Sequence, residues 1–217
     1  MNSPIFGLYG ASGFGQEIMH WLRLELQRRG DPSRVVYIDD GTDKKELDGH
    51  QVMTYAKFLQ QPEPNKLVSI AIADASVRQK IDKKLQADGI NQCAVRGDLT
   101  FVRGAQLSEG SILSAFVDIT SNVVIGRCFH ANTYSYVGHD CVIGDYVTLA
   151  PKAAVNGNVH IHDRAYIGTG AIIKQGTSQK PLVIGAGAVV GMGAVVTKDV
   201  PPGVTVVGNP AKPLIKT

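Results

Sequence analysis

The chain has 217 residues and a mass of 23.2 kDa, with 44% apolar residues, a formal charge of +3 and a pI near 8.7. That length and apolar share exclude a disordered chain and suit one large domain or two small ones. The charge excess is too small and too scattered for a nucleic-acid footprint, though it suits a protein that handles phosphorylated small molecules.

The opening MNSPIFGLYGASGFG lacks the charged start and apolar stretch of a signal peptide. No run of about 18 apolar residues exists to span a bilayer, so a cytoplasmic protein with no membrane insertion is expected. Cys93, Cys128 and Cys141 are odd in number and without C-x-x-C spacing, which points to small buried hydrophobes rather than a disulfide framework or a zinc knuckle.

Along the chain, Ile5 to Tyr9 predicts a strand and GASGFG a glycine-rich turn. Phe14, Ile18, Leu22 and Leu26, four apart, predict a helix that Gly30 ends. Val35 to Ile38 predicts a second strand that stops at Asp39 and Asp40. A third apolar run, Leu67 to Ala73, precedes a helix that Ser76 and Gln79 open as a capping box and Gly89 closes. Strand and helix alternate, so the first part reads as a small Rossmann-like α/β domain with a parallel βαβαβ sheet. Its boundary falls near Cys93 to Asp98, giving domains of 1–95 and 96–217.

Gly10, Gly13 and Gly15, with Ser12 among them, lie where backbone N–H groups and a helix N-terminus can cradle a phosphate. The order is G-x-x-G-x-G rather than the dinucleotide fingerprint, and a turn that merely lets strand meet helix is the plain alternative. Asp39 and Asp40 stand where a doubly wound sheet places acids for ribose hydroxyls or a base edge, the alternative being a solvated turn before Gly41. A sheet this small has room for one nucleotide, which favours a nucleotide sugar over NAD.

From residue 101 a six-residue rhythm takes over: Phe101, Leu107, Leu113, Ile119, Ile125, Ala131, Val137, Ile143, Leu149, Val155, Ile161, Ile167 and Ile173. At 44% apolar composition, such a run has a chance probability on the order of 10⁻⁵. A second column four residues on, from Ala105 to Thr177, is mostly small or β-branched. Glycine often follows the first column, as at Gly126, Gly138, Gly144 and Gly168, where turn conformations are expected. Six fits neither the helical nor the strand period, so the rhythm predicts a solenoid of short parallel strands with the large column inward. KQGTSQKPLV adds five residues as a loop before the rhythm resumes at Ile184, Val190 and Val196.

Residues 101 to 217, in the register I-G-x-x-A/V-x and the closing VVGNPAKPL, resemble the hexapeptide-repeat acyltransferases. With YGASGFG, YIDD and AIADASVRQKI added, the whole chain resembles sugar N-acetyltransferases that acetylate the 4-amino group of a UDP-linked deoxy sugar on the route to di-N-acetyl-bacillosamine. Sialic acid O-acetyltransferases are near relatives. The resemblance implies an all-β left-handed parallel β-helix after the Rossmann-like domain, a homotrimer with sites between subunits, and acetyl-CoA as co-substrate with no metal. It makes Gly10, Ser12, Gly13, Asp39, Asp40 and Ala73 the candidate UDP-sugar contacts. Thr148, Gly157, Thr169, Gly191 and Met192 become the candidate acetyl-CoA contacts, with the GNPAKPL tail folding over the pantetheine arm.

His139 sits in VGHDCV outside both packed columns, and the resemblance makes it the general base that deprotonates the sugar amine. Asp140 stands where relatives commonly carry Glu, either orienting His139 or, because neighbours on a strand point apart, contacting the substrate. Some relatives carry a second histidine where this chain has Thr148, so a hydroxyl or the Gly157 N–H is the expected donor to the acetyl oxygen. Lys152, Arg164, Lys174, Lys180 and Lys198 are open candidates for the CoA 3′-phosphate. His160 and His162 face alternate sides of a strand and read as solvated turn residues. Three rival readings remain: a carbonic-anhydrase-like metal site from His130, His139 and His160 or His162, a non-catalytic trimeric scaffold, and an O-acetyltransferase using the same histidine.

Overall fold

The structure, a computed structural model, describes residues 3–214, and the chain divides into two units between Arg96 and Gly97. The first comprises β1 (Ile5–Tyr9), α1 (Gly13–Arg28), β2 (Arg34–Ile38), β3 (Glu46–Leu47), β4 (His50–Met53), α2 (Tyr55–Leu59), β5 (Lys66–Ile70), α3 (Ala75–Ala87) and β6 (Asn91–Gln92). The sheet order is β3-β4-β2-β1-β5-β6, parallel except for the β3–β4 pair. The chain builds outward from β1 and then returns to its other flank with β5. The carboxyl ends of β1 and β5 therefore form a topological switch point, where open α/β sheets bind ligands.

α1 buries Ile18, Met19, Leu22 and Leu26 on one face and ends where Gly30 takes a φ of 63°, the left-handed stop that glycine adopts without steric cost. α3 differs from expectation. Its cap is Asp74, whose carboxylate accepts from Val77 N at 2.8 Å, so Ser76 falls inside the first turn. β5 stops at Ile70, because the carbonyls of Ile72 and Ala73 accept from the buried Arg78 guanidinium, each at 2.9 Å, instead of joining the ladder. The β3–β4 hairpin, turning on Asp48 and Gly49 with φ of 51° and 73°, and α2, capped by Thr54, were not expected from periodicity.

The second unit is a left-handed parallel β-helix of triangular coils. Strand partners lie eighteen residues apart, as in the ladders Asp118↔Tyr136↔Ala154, Val124↔Val142↔His160 and His130↔Thr148↔Tyr166. Both apolar columns fill its core, from Leu113 and Val117 to Val196 and Val200. The five extra residues leave the coil after Ile173, which pairs with Val196.

Two expectations fail in instructive ways. Phe101 is 51% exposed, and Val102 takes the inward place opposite Ile119, a one-residue slip that turns the whole strand over. The glycines after the first column do not supply turn dihedrals. A methyl at Gly138 would lie 2.7 Å from Gly157 N, and at Gly144 2.7 Å from Asp163 N, so these glycines let successive coils approach at a corner.

Non-glycine residues take the left-handed conformation instead, one per corner: Phe116, Asn122, Cys128, Tyr134, Asp140, Tyr146, Lys152, Asn158 and Arg164, with φ from 49° to 62°. Each costs roughly 1 kcal/mol or more of strain. The cost is offset along the ladder, because their N–H groups donate to the preceding coil, as Asp140 N does to Ser121 O at 3.1 Å and Asn158 N to His139 O at 2.9 Å. Among the described residues, no helix is long and apolar enough to cross a membrane.

Candidate active site

His139 stands on a corner between the strands Tyr136–Val137 and Val142–Ile143. Its side chain is 47% exposed and that of Asp140 46%. Were the two residues on an extended strand they would diverge. The left-handed φ of 57° at Asp140 swings its carboxylate back, and Oδ2 meets His139 Nδ1 at 2.6 Å. Asn122 Nδ2 donates to the other oxygen, Oδ1, at 3.1 Å. These two hydrogen bonds, that from His139 first, hold the Asp140 carboxyl below its ordinary pKa. An ionised Asp140 takes a hydrogen from Nδ1, which leaves the lone pair on Nε2.

The ring lies against Gly157 on the next coil, where a methyl would sit 2.6 Å from Nε2 and 2.7 Å from Cε1. Gly157 O accepts from Gly176 N at 3.0 Å. Asn122 escaped the sequence reading, although it lies one eighteen-residue coil before Asp140 and the repeat length alone would have found it.

The other expected acetyl-CoA positions lie elsewhere on the coil. Thr169, Gly191 and the 81% exposed Met192 share a different corner, with Gly193 N donating to Thr169 O at 2.9 Å. Thr148 is buried on the ladder between His130 and Tyr166, on the face opposite the His139 corner. The chain alone therefore brings Gly157 to His139 and does not bring Thr148, Thr169, Gly191 or Met192 there. The tail runs back as the antiparallel pair Thr205–Val207 and Lys212–Pro213, with Ala211 N bonded to Val195 O at 2.8 Å. His130, His139 and His160 occupy different faces, and among the described residues no group of three or more His, Cys, Asp or Glu side chains could hold a metal ion.

In the first unit the expected contacts gather at the switch point. Gly10, with φ of 113°, has Ala71 O 2.7 Å from where a methyl would stand. Gly15 is the tighter helix glycine, 2.0 Å from Gly10 O on the same construction, while Gly13 faces open space. Ser12 is the exposed N-cap of α1 and uses no side-chain oxygen for capping, so the positive helix end stays open to an anion. Ala73 is exposed just beyond β5.

Asp39 and Asp40 are largely committed to the protein itself. Asp39 accepts from Ala11 N and Gly41 N, both at 2.9 Å, which clamps the glycine turn to the end of β2. Asp40 accepts from Tyr9 OH and, at 2.8 Å, from Tyr55 N. Burial, and then the hydrogen bond to Asp40, push the Tyr9 hydroxyl well above its ordinary pKa. The acids shape the turn, and only their remaining lone pairs face a ligand.

Residues 6–85 match the PglD N-terminal domain family, and residues 140–175 match the bacterial transferase hexapeptide (six repeats) family. GDP-perosamine N-acetyltransferase of Escherichia coli O157:H7 is 44% identical over 210 residues, covering 96% of this chain and 95% of that protein. The structure of WeeI from Acinetobacter baumannii AYE superposes with a TM-score of 0.92 at 53% identity, covering 98% of this chain and all of that one. The acetyltransferase domain of PglB from Neisseria gonorrhoeae FA1090, in complex with acetyl coenzyme A, gives a TM-score of 0.86 at 28% identity over 98% of this chain and 100% of that one. The two-unit fold and these full-length likenesses agree, and the chain belongs to the hexapeptide-repeat sugar N-acetyltransferase family of acetyltransferases.

Proposed function

We propose that the protein transfers acetyl from acetyl-CoA to the 4-amino group of a nucleotide-linked amino-deoxy sugar, with His139 as general base. The observation that carries this reading is the 2.6 Å Asp140–His139 contact on an open corner, which fixes the imidazole with Nε2 available. A neutral imidazole takes a proton at cellular pH, a service worth about 10² to 10⁴ in rate. Nε2 removes a proton from the amine, the amine nitrogen attacks the thioester carbonyl carbon, and the C–S bond breaks. The proton held by His139 then passes to the departing sulfur of CoA. The Gly157 N–H, on the residue the His139 ring lies against, is the backbone candidate to steady the oxyanion.

The first unit is the nucleotide-sugar domain, with the diphosphate at the α1 N-terminus beside Gly10, Ser12 and Gly13, and the nucleoside end running past Asp39, Asp40 and Ala73. The full-length relative named for GDP-perosamine favours a GDP-linked acceptor over the UDP-linked one the sequence alone suggests. Thr169, Gly191 and Met192, on another corner than His139, act with His139 of a neighbouring copy, so the working form is a homotrimer. Both co-substrates belong to the cytoplasm, and the enzyme works there.

The test is thiol release from acetyl-CoA with GDP-linked and UDP-linked 4-amino sugars, on the wild type and on His139→Ala. Rapid release that falls by about 10² or more in the variant is expected. A wild type inert with both amines and active on a sugar hydroxyl overturns the acceptor. A variant at full activity overturns the role of His139.

A further inference from the structure

In the first unit α1 links β1 to β2, and the β3–β4 hairpin extends the sheet beyond β2. A cavity of about 370 Å³ opens between that helix and the hairpin. Gln16, His20 and Arg23 of α1 line it, at the four- and three-residue steps that put side chains on one stripe of a helix. Tyr37 of β2 and Asp48 and His50 of the hairpin complete the polar lining. None of Gly10, Ser12, Gly13, Asp39, Asp40 or Ala73 belongs to it, so the cavity shares no residue with the nucleotide position proposed at the switch point.

Tyr37 is fully buried, and its hydroxyl has no hydrogen-bond partner among the described residues. A fold rarely leaves such a donor unpaired, because its desolvation is then uncompensated. Burial, and then the charge of Asp48, push the Tyr37 pKa up to about 12, so the hydroxyl stays protonated and has a hydrogen to give. Asp48, the single acid of the lining, has Oδ2 taken by Gln16 Nε2 at 2.8 Å. The His50 ring stands edge-on to Tyr37, with centroids 6.2 Å apart. Burial first and Arg23 second hold His50 below its ordinary pKa, against the opposite pull of Asp48 and of a hydrogen bond to the Val35 backbone. The Arg23 charge is thus felt inside the cavity, and it acts on whatever enters.

We propose that this cavity binds a small oxyanion, the phosphate or carboxylate group of a metabolite, held by the Arg23 guanidinium and the Tyr37 hydroxyl. The guanidinium fork matches two oxygens of such a group, and the hydroxyl supplies the donor that the protein leaves unused. His20, exposed on the same helical stripe, adds a donor on the solvent side. Asp48 opposes an anion, and its engagement by Gln16 reduces that opposition. The volume is within the range of small-molecule sites, so the ligand extends beyond its anionic group. This site stands whether or not the acetyl-transfer reading does.

The experiment follows the ring protons of the six histidines by NMR while the full-length protein is titrated with inorganic phosphate and, separately, with acetate at matched ionic strength. His20 and His50 should shift saturably while His130, His139, His160 and His162 stay in place, and the tighter of the two anions names the ligand class. Arg23→Gln and Tyr37→Phe should each weaken binding about fivefold or more. Tyr37→Phe should melt no lower than the wild type in anion-free buffer, because it removes an unpaired hydroxyl. Shifts that never saturate, or that touch all six histidines alike, are general ionic effects and overturn the site. A Tyr37→Phe variant that binds as the wild type does, or that melts well below it, overturns the role of the hydroxyl and the proposal with it.

Discussion

Gly157→Ala separates position from chemistry at the corner. Gly157 has no left-handed φ, so its backbone accommodates alanine, and the nearest neighbours of the new methyl are atoms of the His139 ring, at 2.6 Å for Nε2 and 2.7 Å for Cε1. Ordinary contact begins near 3.4 Å, so the imidazole must retreat by about 0.8 Å, 3.4 minus 2.6. That half-exposed ring moves at little energetic cost. A displacement near 1 Å at a reacting group costs on the order of 10² in rate, about 2.7 kcal/mol of transition-state stabilisation. The variant should keep its melting temperature to within about 2 °C, while kcat falls about a hundredfold. Thiol release under saturating substrates, beside a thermal melt, is the assay. An unchanged kcat in a folded variant would refute the claim that His139 acts from the position seen here.

Gly13→Ala and Gly15→Ala make a matched pair: the first enters open space and should be neutral or stabilising by up to about 1 kcal/mol, whereas the second drives a methyl to 2.0 Å from Gly10 O and should lower the melting point markedly. Asn122→Ala removes one of the two bonds that depress the Asp140 pKa, so its carboxyl titration, followed by carbon NMR, should rise toward the ordinary value. The sign is fixed by the direction of that shift: the Asp140 contribution to stability is full above the unfolded carboxylate value near 3.9 and is lost as pH falls through the depressed one. In the variant that contribution should be smaller and its loss complete at a higher pH, while the onset, set by the unfolded value, stays where it is. Burial pushes the Cys93 thiol up to about 12 and that of Cys141 to about 11, so neither should react with a thiol reagent at pH near 8 until the protein unfolds.

The six-residue rhythm carried the second unit into view because each hexad repeats one physical demand, a large residue inward and a small one beside it. Where that demand lapses, the reading slipped: Phe101 satisfies the rhythm yet points outward, since at the open end of the solenoid only one neighbouring strand sets the register. In the first unit, strands and long helices were legible from apolar runs. Short elements fixed by one turn or one cap, such as the Asp48–Gly49 hairpin and the Thr54-capped α2, have no period to show. The glycines were visible, but their reason was not, because close approach of two coils is a tertiary fact.

His139 was legible only through its motif, and Asp140 only as its neighbour. What joins them is a dihedral. The left-handed slot recurs at every corner and takes residues as different as Lys152 and Tyr134, the latter stacked on Phe116. Placing an aspartate in that slot directly after an exposed histidine lets a single residue meet both needs: its N–H ties the coil to Ser121 O, and its carboxylate holds the imidazole. The strain of the slot is offset by the ladder whether or not chemistry follows, so the protein obtains an oriented base without a third strand or loop to carry the orienting acid. The same argument explains why Asn122 sits one coil below in the same slot, where an amide can steady the carboxylate without competing for the ring.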